Sequence, residues 1–150
     1  MKWIVLAGSS NLRKTWTLTE VVIALVNRYG ARLVSPAILP TLHPATEPNK
    51  WPYYSDDSYE LLYHDKRIIV VTYGDSPCSV DDGFKKAKSR NADILISASR
   101  ARSGSGHIAV IDSKIASHSA EVFVIAALDH SFGVIPEVVK WRIQQIIDML

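Results

Sequence analysis

Residues 8 to 15, GSSNLRKT, set a glycine, a lysine and a hydroxyl at a spacing that can grip a polyphosphate. A turn opening at Gly8 and running through Ser9, Ser10, Asn11, Leu12 and Arg13 would aim backbone N–H groups at an anion. Lys14 would reach the terminal phosphate oxygens as a point charge. The Thr15 hydroxyl is a hard oxygen of the kind Mg2+ takes. A second cationic group, Arg100, stands in SASRARSGSGH, where a guanidinium on a glycine- and serine-rich loop could stabilise a transferring phosphoryl group. A carboxylate, Asp75, closes the stretch TYGD.

Other chemistries find less support. His43, His64, His107, His118 and His130 are scattered, and no pair has zinc-ligand spacing with a cysteine or carboxylate. Ser9 and Ser10 lie outside any G-x-S-x-G elbow, so a hydrolase triad is not indicated. Cys78 is the single cysteine, and a lone thiol of this kind is expected to be buried. Asp81, Asp82, Lys85, Lys86, Lys88 and Arg90 read as the solvated face of a helix.

The elements that must position these groups follow from apolar periodicity. Residues 2–7, KWIVLA, are a short apolar run ending at Gly8 and read as a strand buried on both faces. Residues 14–29 carry Leu18, Val21, Val22, Leu25 and Val26 at helical spacing, and Gly30 closes them as a C-cap. ARLVS is a second strand, so the chain opens with a βαβ unit. Prolines then recur at 36, 40, 44, 48 and 52, which excludes a regular helix or central strand. Residues 36–57 are therefore an exposed loop, with Trp51, Tyr53 and Tyr54 able to stack on a base, meet a partner or pin the loop.

Beyond the loop, YELLYHDKRIIVVTYGD predicts two strands joined at His64-Asp65-Lys66. SVDDGFKKAKSRN predicts a helix, ADILISAS a buried strand, IAVIDSKIASHS a helix and EVFVIAAL a strand. The last segment starts at Pro136 and carries Val139, Ile143, Ile146, Ile147 and Leu150 as one apolar stripe, which predicts a helix lying on the sheet. The expected architecture is a three-layer α/β/α sandwich of one domain, 1–150, with a mostly parallel central sheet and a hairpin strand at or near an edge. Ligands of such sheets bind at the carboxyl ends of the strands. Gly8 to Thr15, Thr72 to Asp75 and Ser97 to Gly106 all fall on that edge.

With strand, GSSNLRKT turn and helix in this order, the chain resembles the P-loop NTPase superfamily in its small kinase-like or ATPase-like members. RIIVVTYGD resembles the Walker B strand of that family. The resemblance implies an ATP site over Gly8, Ser9, Ser10, Asn11, Leu12, Arg13, Lys14 and Thr15, with Lys14 on phosphate. It also implies Mg2+ held by Thr15 and Asp75, and catalysis by Lys14, Asp75 and Arg100. Two departures from the family pattern stand out. Arg13 replaces the glycine before the lysine, and Asp75 follows Thr72-Tyr73-Gly74 instead of ending the apolar run.

Three readings remain open. One is an ATPase or small-molecule kinase. Another is a module that keeps the fold, has lost turnover and meets a protein partner through residues 36–57. The last is a Rossmann-like nucleoside-processing transferase using Asp75. A purely structural turn is the bland alternative: Gly8 makes the bend, Ser9, Ser10 or Asn11 caps the helix, and Lys14 is solvated. The net charge of +2 and pI near 8.7 permit anionic ligands but do not argue for nucleic acid. The apolar run near the start is far too short to span a membrane and is followed at once by Arg13 and Lys14. One cysteine fits a reducing, cytoplasmic setting, and the composition is compatible with a homo-oligomer.

Overall fold

Apolar residues alternate along the first strand, and each set enters a different core. The computed structural model describes residues 1–9, 13–48, 50, 52–100, 106–118, 120–127 and 136–150. In β1 (Lys2–Ala7), Ile4 and Leu6 join one buried cluster, while Trp3, Val5 and Ala7 join another. Burial on both faces explains the continuous apolar run, since a strand covered by two layers has no solvent side. The Trp3 indole is satisfied inside the core by donating to Ser97 Oγ at 2.9 Å.

The remaining elements are α1 (Lys14–Tyr29), β2 (Arg32–Ser35), β3 (Ser58–Tyr63), β4 (Lys66–Val71), α2 (Pro77–Ser89), β5 (Ile94–Ser99), α3 (Gly106–His118), β6 (Glu121–Ala126) and α4 (Pro136–Asp148). The strands form one six-stranded sheet in the order β2-β3-β4-β5-β1-β6. β4, β5, β1 and β6 run parallel, and β3 is antiparallel to both of its neighbours. The expected hairpin strand is therefore β3, one place in from the β2 edge.

Leu18, Val21, Val22 and Leu25 of α1 pack with Ile146 and Ile147 of α4 in the first cluster. Val80 and Phe84 of α2 pack with Ile111 of α3 in the second. The helices thus cover opposite faces, and the molecule has the three expected layers.

Local chemistry sets the boundaries. α1 spans the expected residues, and Gly30 ends it in a left-handed conformation (φ 71°) that costs glycine nothing. β3 turns into β4 through His64 and Asp65, both at positive φ, as a tight hairpin with right-handed strand twist requires. α2 starts two residues earlier than its apolar pattern suggests. Ser76 caps it by accepting from Ser79 N at 3.1 Å, and Pro77 fits the first turn.

Residues 36–57 carry no helix or strand beyond one bridge between His43 and Tyr53, so the proline reading holds for the described part. Trp51 lies outside the described residues. Among the described residues no helix is long and apolar enough to cross a membrane.

Candidate functional site

Crossovers leave the sheet in opposite senses at β1 and β5. The β1 connection runs through α1 on one face, and the β5 connection through α3 on the other. The carboxyl ends of these paired strands therefore form the topological switch point, the place where a parallel sheet opens a crevice. The crevice is tightly framed. Gly8 N donates to Ser99 O at 3.1 Å, and Ala127 N donates to Ala7 O at 2.7 Å, so β1 is held on both sides to its end. Beside it, a Cβ on Gly74 would stand 2.0 Å from Ala98 O. Only glycine lets the chain leaving β4 lie this close to β5.

Lys14, Asp75 and Arg100 meet here. Lys14 starts α1, yet only 6% of its surface is exposed. Its Nζ donates back to Ser9 O at 2.6 Å and to Gly8 O at 3.1 Å. Asp75, which is 64% exposed, pairs with Arg100 across 3.5 Å. Burial pulls the Lys14 pKa below its ordinary value; Asp75 opposes the shift and Arg100 adds to it. The bland picture of a solvated lysine does not hold.

The helix start also departs from that picture. The N-cap is Arg13, which makes no side-chain cap bond, and no acidic residue occupies the first turn. Arg13 lies in the left-handed region (φ 47°, ψ 42°), the conformation a glycine adopts most freely. Its carbonyl accepts from Thr17 N at 3.0 Å and its guanidinium lies over Trp16, 5.5 Å from the ring centre. Ser10, Asn11 and Leu12 lie outside the described residues, as do 101–105 with Arg102.

Thr15 meets a different carboxylate from the one expected. Its Oγ1 lies 2.7 Å from Asp56 Oδ1 and 3.0 Å from Thr72 O. Asp75 is engaged with Arg100 instead. Asp56 arrives from the end of the proline-rich segment, which sequence reasoning left unassigned. Consecutive Asp56 and Asp57 just before a predicted strand were the available signal.

The proline-rich segment is tied to α1 as well. Tyr54 Oη donates to Glu20 Oε1 at 2.7 Å, and its ring lies 4.9 Å from that of Trp16. Burial, reinforced by Glu20, raises the Tyr54 pKa. Further out the same segment exposes Ile38 (77%), Leu42 and Tyr53.

His107 lies at the start of α3 as expected but is 5% exposed, and among the described residues neither ring nitrogen has a hydrogen-bond partner. It sits one turn before Ile111, on the sheet-facing side. Cys78 is exposed, which corrects the expectation of a buried thiol; it follows Pro77 in the first turn of α2, outside the core. Asp81 pairs with Lys85 at 2.5 Å and with Lys114 at 2.7 Å, so part of that charged face ties α2 to α3. Among the described residues no group of three or more His, Cys, Asp or Glu gathers where a metal ion could sit. No protein-family model, curated protein or solved structure matches the chain.

Proposed function

We propose that the protein binds a nucleoside triphosphate with its phosphates in the β1–α1 turn, as a P-loop NTPase-like domain. The observation that carries this reading is the buried Lys14. A lysine ammonium sunk into a strand–helix turn and satisfied, among the described residues, by the carbonyls of Gly8 and Ser9 is costly to maintain. An anion reaching the switch-point crevice would meet this ammonium, the N–H groups of the first helical turn, which the Arg13 side chain does not cap, and Arg100. Lys14 would exchange two loop carbonyls for phosphate oxygens, a charge-assisted and stronger set of bonds.

Mg2+ carried by ATP would take the Thr15 hydroxyl as a protein ligand; the family pattern suggests Asp75 as its carboxylate, but Asp75 pairs with Arg100 and the carboxylate beside Thr15 is Asp56. When bound, the ion neutralises phosphate charge and orients the terminal phosphoryl group. Arg100, paired with Asp75 at the β5 end, would stabilise charge on that group. Whether the site turns over, as an ATPase or a kinase, is separate from binding and is read by single-turnover kinetics.

The test is equilibrium binding of a fluorescent, non-hydrolysable ATP analogue to the wild type and to Lys14→Met. Saturable binding that weakens at least about tenfold in the variant supports the reading. Equal binding, or none in either protein, removes it.

A second reading has its own observation. Ile38, Leu42 and Tyr53 leave apolar surface exposed on residues 36–57, as a segment that docks a protein partner would. In that reading the fold is kept for binding alone. The third, a nucleoside-processing transferase, needs Asp75 free to act on a sugar. Nucleoside turnover lost in Asp75→Asn, without ATP binding, would select it.

A further inference from the structure

We propose that Asp56, delivered by the proline-rich segment, supplies the protein carboxylate for a divalent cation bound together with the nucleotide. This rests on the reading of the site given above and names a residue outside the family pattern. Three oxygens from three parts of the chain converge: Thr15 Oγ1 at the start of α1, Asp56 Oδ1 and Thr72 O just past β4. Both contacts of Thr15 are to acceptors, at 2.7 and 3.0 Å, yet a hydroxyl has one hydrogen to give. That single hydrogen is shared between the two acceptors. A hard cation is the species that satisfies several oxygens at once.

The carboxylate is placed with some rigidity. Asp57 N donates to the Thr72 hydroxyl at 2.9 Å, and that hydroxyl donates to Asp57 O at 3.0 Å. Thr72 N donates to the same carbonyl at 3.0 Å. Thr72 is fully buried, so its side of these bonds is shielded from water. Thr72 occupies the end of the apolar run, where the family pattern puts an acid. Its side chain fixes the backbone that presents Asp56 instead.

Ligand count supports a travelling ion over a resident one. A carboxylate, a hydroxyl and a carbonyl leave an octahedral Mg2+ short of ligands, and phosphate oxygens and water would complete it. Asp75 is already engaged by Arg100, at 3.5 Å.

The test measures affinity for the non-hydrolysable ATP analogue in EDTA and in Mg2+, using the wild type, Asp56→Asn and Asp75→Asn, with melting curves as a folding check. In the wild type Mg2+ should tighten binding by roughly tenfold or more. Asp56→Asn should lose that gain yet bind the metal-free analogue as well as the wild type or better, because a negative charge beside the phosphates is gone. With Mn2+ in place of Mg2+, the spin-resonance signal of bound ion should weaken in Asp56→Asn. A Mg2+ gain and Mn2+ signal that survive in Asp56→Asn overturn the proposal, whatever Asp75→Asn does. If the wild type binds no analogue even in EDTA, the nucleotide reading itself has failed and takes this one with it.

Discussion

Thr72 and Asp57 are locked together by three hydrogen bonds, two through the threonine hydroxyl and one from its backbone N–H, at 2.9 to 3.0 Å. This lock joins the end of a central strand to the end of the proline-rich segment. It is the device that holds Asp56 against Thr15.

Thr72→Val keeps the shape and removes the hydroxyl. Two hydrogen bonds go, and Asp57 N loses its acceptor. Stability to urea should fall by about 2 kcal/mol, and the Mg2+ gain in analogue binding should shrink. A change under about 0.5 kcal/mol would mean that the lock is replaceable by solvent.

Arg13 holds a backbone conformation in which a side chain costs about 1–2 kcal/mol. Arg13→Gly relieves that cost but gives up the contact with Trp16, worth about 0.5–1 kcal/mol. The two terms oppose each other, so stability in chemical denaturation should change by under about 1 kcal/mol. Analogue binding should tighten, because the backbone can approach phosphate without a Cβ. Weaker binding would identify the guanidinium as a phosphate ligand in its own right.

Lys14 makes stability depend on pH. Its pKa in the folded protein lies below the ordinary value of 10.5, chiefly because of burial. Between the two values the unfolded chain holds more protons than the folded one, so stability rises with pH across that window. Lys14→Met lacks this contribution. Wild-type stability should therefore gain on the variant as pH approaches 10.5 from neutrality, in paired denaturation curves. A difference that stays flat, or falls, would show that the ammonium carries no burial penalty.

Much of the scaffold was legible because periodicity reports burial. Leu18, Val21, Val22 and Leu25 announced α1, and Gly30 its end. Parallel order then put the ends of β1, β4 and β5 on one edge, so Lys14, Asp75 and Arg100 could be gathered from the sequence alone. Three features were not legible, for physical reasons. Asp56 is placed by the pairing of its neighbour Asp57 with Thr72, a contact between residues far apart in the chain with no periodic signature. The burial of Lys14 depends on loop carbonyls folding back over it. Cys78 is exposed because Pro77 and the Ser76 cap start α2 early, which puts the thiol in the first turn and out of the core.

The most direct measurement is a crystal structure grown with Mg2+ and the non-hydrolysable ATP analogue. Lys14 Nζ is predicted to leave Gly8 O and Ser9 O and to lie within hydrogen-bond distance of a terminal phosphate oxygen. Phosphates bound elsewhere, with Lys14 still closed on those two carbonyls, would contradict the account.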